Sequence, residues 1–178
     1  MKSLVAYLSR SGKTRMVADA IFEEIPGDKE IKQLREVSDL KGYDLSFIGF
    51  PIERFGPATE AAEFLRTHSD GHRVALFVTH AAPEDSDQAA TYVARSRELV
   101  KEADLAGIFN CQGEMALPVK QALLSLGDPT LAAFANGDNS AGQPNARRLD
   151  LARAFAREVV ATATSRESEV TRSSAASV

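Results

Sequence analysis

The chain has 178 residues, of which 44 % are hydrophobic and 26 % charged, and these values fit one domain with a sizeable core. With 25 acidic residues against 21 basic ones the net charge is −4, which argues against a nucleic-acid-binding surface and suits a basic protein partner. The single cysteine, Cys111, excludes an internal disulfide and favours a reducing compartment. Because no apolar stretch approaches the roughly 20 residues of a membrane helix, and Leu4–Leu8 is too short for a signal peptide, we expect a cytoplasmic protein.

Short apolar runs alternate with longer amphipathic segments along the chain. Continuous apolar runs, typical of parallel strands covered on both faces, predict strands over residues 4–8, 45–50, 74–79 and 105–109. The more polar segment 30–35 is predicted as an edge strand. Apolar residues at helical spacing predict helices over residues 17–25, 58–68, 89–100 and 146–162, the last with Leu151, Phe155 and Val159 on one face. Five strands alternating with helices predict an α/β fold with a doubly wound parallel sheet and right-handed crossovers.

Two segments lack this pattern. Residues 118–144 hold a short helical pattern and then many Gly, Asn, Asp and Pro residues, so we expect an irregular connection. Whether this connection folds over a binding crevice or lies at the far end of the sheet stays open. From residue 165 the chain is rich in Ser, Thr and Ala, which predicts a disordered tail over 165–178 behind a domain of residues 1–164.

The loop between the first strand and the first helix has the composition of an anion site. It reads Ser9, Arg10, Ser11, Gly12, Lys13 and Thr14. Parallel α/β sheets bind ligands beyond the carboxyl ends of their strands, where this loop lies. The glycine permits close backbone approach, the hydroxyls donate hydrogen bonds, and the free N–H groups of a helix start attract an anion. The two basic residues either add positive charge or point to solvent.

Two common phosphate motifs are excluded by spacing, and an ordinary helix cap remains. The end of the loop, Gly12-Lys13-Thr14, matches the end of a P-loop, but Tyr7 stands where that motif requires a glycine. The dinucleotide pattern G-x-G-x-x-G is absent because the loop has one glycine. A helix start capped by Ser or Thr with no ligand is the alternative.

Residues 5–21 resemble the signature of the flavodoxin family. The matching positions are Tyr7, Ser9, Gly12, Thr14, Ala18 and Ile21, whereas Ala6 stands where the family prefers a larger apolar residue. Segments 47–52, 77–80 and 109–114 also resemble the strand ends of that family, so the likeness covers residues 2–162. The resemblance implies a flavodoxin-like, five-stranded parallel sheet of order 2-1-3-4-5 and FMN bound at the switch between strands one and three.

The resemblance further implies a flavin site built from the loops at the strand ends. The phosphate would lie on the loop 9–14, and the ring between the loops 51–57 and 79–83. The residues expected to bind the cofactor are Ser9, Arg10, Ser11, Gly12, Lys13, Thr14, Pro51, Ile52, Arg54, Phe55, Gly56, Thr79, His80, Ala81, Cys111, Gln112 and Gly113.

The loop 51–57 supplies candidates for contact with the ring. Phe55 either stacks on the ring or anchors its loop on the core. Gly56 would supply the peptide that turns when flavin N5 is protonated, although Pro57 biases that glycine toward an extended backbone. Arg54 either favours an anionic reduced flavin from a position near N1 or is solvated.

Small residues dominate the loop 79–83, so one face of the ring is expected to be open. His80 is the only ring there, and it is either a proton donor or a histidine hydrogen-bonded to the backbone. Cys111 is either a redox-sensitive thiol or a small buried hydrophobic residue. No Cys or His spacing indicates a metal site, and the sequence indicates no catalytic residue.

Three functions stay open at this point. The favoured one is an FMN-binding redox protein that carries electrons between a reductase and an acceptor protein, or serves as the flavin module of a reductase system. The second is an FMN-dependent NAD(P)H:quinone-type oxidoreductase, which the open ring face favours. The third is a flavin-free interaction module, against which the hydroxyl-rich loop argues.

Overall fold

The computed structural model describes the backbone of residues 1–175 and the side chains of residues 1–166. In that range the strands are β1 (Lys2–Tyr7), β2 (Asp28–Gln33), β3 (Leu45–Glu53), β4 (Gly56–Pro57), β5 (Arg73–His80) and β6 (Asp104–Gln112). The helices are α1 (Lys13–Glu24), α2 (Thr59–His68), α3 (Asp87–Glu98), α4 (Leu117–Ser125), α5 (Pro129–Asn136) and α6 (Ala146–Ala175), with a 3-10 turn at Leu34–Glu36. None of these helices combines the length and apolar character that a membrane span requires.

The main sheet has the order β2-β1-β3-β5-β6, and every neighbouring pair in it is parallel. The short strand β4 pairs only with β3, antiparallel, and stands outside this order. Counted without β4, the five parallel strands have the order 2-1-3-4-5, so the predicted fold class and topology are confirmed. The polar strand β2 lies at one edge, as predicted.

Alternating side chains of the strands fill two cores, one on each face of the sheet. In β1, Val5 packs in the core under α1 and α6, whereas Leu4 packs in the core under α2. In α6 the buried stripe runs through Ala152, Ala156 and Val159, with Phe155 packed against it, while Leu151 is 52 % exposed.

The connection 118–144 was predicted to be irregular, and this was wrong. It contains α4 and α5, and each helix carries a proline in its first turn. A proline there replaces an N–H that has no partner within the helix, so it starts a helix instead of breaking one. Asp128 caps α5 by accepting hydrogen bonds from the N–H groups of Thr130 and Leu131.

The final helix is longer than predicted. We expected α6 to end near Thr162 and the chain to be disordered from 165, but the helix continues to Ala175. Segment 163–175 contains neither Gly nor Pro, so nothing in it interrupts the helix. The predicted tail also includes residues 176–178, which lie outside the described residues.

A partly buried polar network joins the loop after β5 to the start of α6. The Arg148 guanidinium forms a two-pronged ion pair with Glu84, and it also donates to Gln112 Oε1 at 2.9 Å. Gln112 Nε2 donates to the Ala81 carbonyl at 2.8 Å. Burial raises the pKa of Glu84, but Arg148 and the Gln112 N–H outweigh burial and lower that pKa to about 2. The network therefore holds the loop that follows β5 in place.

Replacing Glu84 tests this network through its pH dependence. The pKa of Glu84 is lower in the folded state than in the unfolded state. Its ionised form therefore adds to the free energy of unfolding above pH 4.5, and this contribution is lost as the pH falls toward 2. We expect Glu84→Gln to lower the free energy of unfolding at pH 7 by about 1–2 kcal/mol, after discounting for solvent screening. Urea denaturation should show this difference shrinking between pH 5 and 2. Glu63→Gln, at a carboxylate without an ion pair among the described residues, is the control, and equal pH profiles for both variants would contradict the account.

Candidate functional site

A cleft of about 180 Å³ opens at the carboxyl ends of β1, β3, β5 and β6. Ten of the predicted site residues line it, namely Arg10, Ser11, Lys13, Thr14, Pro51, Ile52, Thr79, His80, Ala81 and Gly113. Four lining residues were not predicted, namely Glu114, Met115, Ala116 and Val119, whereas Glu53 belongs to the loop 51–57 that was expected beside the ring. Ser9, Gly12, Arg54, Phe55, Gly56, Cys111 and Gln112 do not line it.

The loop that precedes α1 leaves polar groups available at one end of the cleft. Gly12 is the N-cap of α1 with a left-handed φ of 85°, a conformation that glycine adopts without strain. In the first turn, Arg15 N–H donates to Ser9 Oγ at 3.3 Å. The N–H groups of Lys13 and Thr14 and the hydroxyl of Ser11 have no hydrogen-bond partner within residues 1–166. A helix start with free N–H groups is a binding site for an anion.

The Thr14 side chain is buried and fixes the helix start to the sheet. Its hydroxyl is 2.8 Å from the Thr79 hydroxyl at the end of β5. Gly113 packs closely against this pair of threonines. A Cβ at position 113 would lie 3.3 Å from the Lys13 Cβ, so the close approach favours glycine. The Gly113 N–H donates to the His80 carbonyl at 2.8 Å. Together these contacts join three of the loops that surround the cleft.

Both cations of the loop 9–14 are paired with carboxylates in this structure. Arg10 binds Glu53 at 3.0 Å and Glu60 at 2.5 Å, and these bonds raise the pKa of the guanidinium. Lys13 Nζ lies 2.8 Å from Glu114, and Lys13 lowers the pKa of that carboxyl. These ion pairs tie the loop to β3, α2 and the segment after β6.

A two-residue hairpin turn projects beside the cleft. Arg54 and Phe55, between β3 and β4, both have positive φ, at 50° and 64°. This backbone matches a type I′ turn, which Asn and Gly favour and an Arg-Phe pair does not. Phe55 is 36 % exposed and meets the Phe134 ring edge-on at 6.2 Å. The interpretation of Phe55 as an anchor on the core is therefore wrong, since its contact is on α5 at the surface.

The segment after β6 forms part of the wall of the cleft. Met115, Ala116 and Val119 line it from the start of α4. Met115 N–H donates to the buried Ser140 hydroxyl at 2.8 Å, and Glu114 N–H donates to the Gln143 carbonyl at 2.9 Å. The connection 118–144 therefore sits at the cleft and not at the far end of the sheet. No sequence signal marked these residues, because their placement depends on tertiary contacts.

Two predicted site residues at the end of β6 face away from the cleft. Cys111 is fully buried in the core under α1 and α6, and burial raises the pKa of its thiol to about 12. It is thus a small buried hydrophobic residue and not a reactive thiol. Gln112 belongs to the Glu84–Arg148 network. The described residues contain no group of three or more His, Cys, Asp or Glu side chains arranged to hold a metal ion.

Comparison with known proteins gives a consistent family. A model of the flavodoxin domain matches residues 4–157. The flavodoxin-like domain-containing protein BilS of Clostridioides difficile (strain CD3) is 30 % identical over 125 residues, which cover 67 % of this chain and 70 % of that protein.

Solved structures share the fold at low sequence identity. A flavodoxin from the domain Archaea superposes with a TM-score of 0.59 at 15 % identity, covering 92 % of this chain and 99 % of that one. The flavoprotein of Lactobacillus acidophilus NCFM in complex with FMN gives 0.50 at 24 %, covering 61 % and 92 %. Two-electron reduced Megasphaera elsdenii flavodoxin gives 0.57 at 14 %, covering 89 % and 98 %. The domain match over residues 4–157 and the relative at 30 % identity show that this chain belongs to the flavodoxin family.

Proposed function

We propose that this chain binds FMN in the cleft at the strand ends and carries electrons in the cytoplasm between a reductase and an acceptor protein. One observation carries the proposal: within residues 1–166, two N–H groups of the first turn of α1 and the Ser11 hydroxyl have no hydrogen-bond partner, and Ser11, Lys13 and Thr14 line the cleft. These donors suit a phosphate, which accepts several hydrogen bonds and is attracted to a helix start. The solved Lactobacillus flavoprotein of this fold holds FMN.

The residues that line the cleft supply both the hydrogen-bond donors and the apolar contacts that FMN would use. Ser11 and the start of α1 would hold the phosphate, while the buried Thr14–Thr79 pair keeps that helix start in position. Pro51, Ile52, Ala81 and Met115 give the cleft apolar walls. Bound FMN would supply one- and two-electron redox chemistry, and the protein would orient the ring and exclude water.

A second candidate function has one observation in its favour. A further cavity of about 170 Å³ shares Ala81 and Met115 with the cleft and is also lined by Pro83 and Phe134. A small aromatic acceptor such as a quinone would fit an apolar cavity of this kind next to a flavin. Turnover of a quinone with NADH or NADPH by the purified flavoprotein alone would favour this oxidoreductase over the carrier.

The phosphate site predicts a selective effect of Ser11→Ala. A hydrogen bond to a charged group is worth about 1.5–3 kcal/mol, so loss of one hydroxyl should weaken FMN binding at least tenfold. Riboflavin lacks the phosphate, and its affinity should not change. Quenching of flavin fluorescence measures both affinities, and Thr67→Ala in α2 is the matched control.

Two results would contradict the phosphate site. A wild-type protein that stays colourless and takes up no FMN would remove both flavin functions and leave the interaction module. Equal losses for FMN and riboflavin in Ser11→Ala would place the phosphate elsewhere.

The Lys13–Glu114 ion pair predicts a gain of affinity in Glu114→Gln. The substitution removes a negative charge near the phosphate position and releases Lys13 to interact with the ligand. Because the pair is partly exposed, we expect FMN affinity to rise only about two- to fivefold at low salt, with riboflavin unaffected. The gain should disappear at high ionic strength in the same fluorescence titration. Weaker FMN binding by the variant would mean that Glu114 supports the site.

A further inference from the structure

A groove of about 760 Å³ lies between α6, the strand β6 and the segment 83–85. None of the residues that line it also lines the cleft at the strand ends, so the two sites are separate. Phe109 of β6 and Phe155 of α6 stack in its wall with ring centroids 5.6 Å apart. Among the described strands, β6 stands at the edge of the sheet and no strand pairs with its outer side. An apolar groove beside an open strand edge indicates a surface that another chain covers.

Four exposed side chains of α6 form a stripe along this groove. They are Arg147, Leu151, Ala154 and Glu158, and all of them line it. Their spacing of four, three and four residues is that of the contact positions in a coiled coil, so the four side chains lie on one face of the helix. The stripe therefore offers a second helix two apolar residues, one large and one small, between an arginine and a glutamate.

The two charged residues of the stripe differ from the other charged residues of α6. Arg147 and Glu158 form no ion pair within residues 1–166, whereas the other charged side chains of α6 in that range each form one, namely Arg148, Asp150, Arg153, Arg157 and Arg166. Arg147 and Glu158 cannot pair with each other, because they lie about 16 Å apart along the helix axis. Each of them is thus available to a charge on another molecule.

We propose that this stripe is an interface between two copies of the chain, with their α6 helices antiparallel across a two-fold axis. Arg147 and Glu158 lie equally far from the midpoint of the stripe, so Arg147 of each copy meets Glu158 of the other. Leu151 and Ala154 are equidistant from the same midpoint, so each leucine packs against an alanine, and the small residue lets the helices approach closely. The stripe is therefore complementary to itself in both charge and size.

The symmetry of the stripe selects a second copy as its occupant. A parallel second copy would bring Arg147 against Arg147 and Glu158 against Glu158, and like charges in contact repel. An unrelated protein would need no symmetric spacing within this chain, whereas a two-fold dimer requires it and forms each contact twice. The inference is independent of the proposed function, since the groove and the cleft share no lining residue.

Charge reversal in the full-length protein tests this interface by sedimentation velocity. Wild-type protein should sediment as a dimer of twice 19.2 kDa that dissociates on dilution and at high salt. Arg147→Glu sets two glutamates against each other at both ends of the interface, and Glu158→Arg sets two arginines there. Each variant alone should raise the dissociation constant of the dimer at least about tenfold. Arg97→Glu, at an exposed arginine of α3 without an ion pair among the described residues, is the matched control and should stay dimeric.

A mixture of the two variants distinguishes this interface from any other. Equal amounts of R147E and E158R restore the opposite charges at both ends, so the mixture should form a heterodimer, and the double variant should associate with itself again. Both positions are exposed, so circular dichroism should show every variant folded. Wild-type protein that stays monomeric at its highest soluble concentration would overturn the proposal. A dimer that neither reversal weakens, or one that both weaken and the mixture does not restore, would overturn it as well.

Discussion

The turn at Gly12 is the constraint on which the site depends. A left-handed residue there sends the chain from β1 into α1 so that the helix begins at the carboxyl edge of the sheet. The buried bond between the Thr14 and Thr79 hydroxyls then holds that helix start against β5. A side chain at position 12 would strain the turn, and a different turn would carry the free N–H groups of α1 away from the cleft. The parallel sheet gathers the remaining loops around this point.

Charge in the cleft is arranged differently from what its sequence indicates. The basic residues of the loop 9–14 suggest that cations hold a phosphate. In the structure, however, Arg10 and Lys13 both bind carboxylates of neighbouring elements. The ion pairs join the loops around the cleft, and recognition of an anion falls to backbone N–H groups and the Ser11 hydroxyl. Those donors are fixed by the fold, so they require little reorganisation when a ligand arrives.

Much of the fold follows from local pattern, and the cleft follows only in part. Continuous apolar runs identify β1, β3, β5 and β6, because a strand buried on both faces has apolar residues at consecutive positions. The hairpin turn at Arg54 and Phe55 could not be predicted from the sequence, because neither residue type favours the positive φ that both adopt here. The helices α4 and α5 were not predicted, because a proline in a sequence usually indicates the end of a helix. Only the structure shows that these prolines lie in the first turn. Val119 joins the cleft only through tertiary contacts, which no local pattern encodes.

The orientation of strand ends explains the remaining differences. Cys111 directly follows Asn110 in β6, and alternation turns its thiol into the core while the backbone passes the Thr79 position. Sequence spacing predicts that such residues lie near the ligand. It does not determine which face of the sheet their side chains are on, because that depends on the strand register. His80 is held by the backbone, since its Nδ1 bonds to the Ala82 carbonyl at 2.9 Å, and only the structure decides between this and a free proton donor.

Phosphorus-31 NMR of the protein loaded with FMN tests the central claim, that the phosphate lies on the start of α1, most directly. The phosphate of free FMN has a second pKa of roughly 6, so its phosphorus resonance shifts as the pH crosses that value. Held by the N–H groups of α1 and the Ser11 hydroxyl, the phosphate should stay dianionic, with a resonance that does not move between pH 5 and 9. A bound flavin whose phosphate titrates as it does in water would contradict the account.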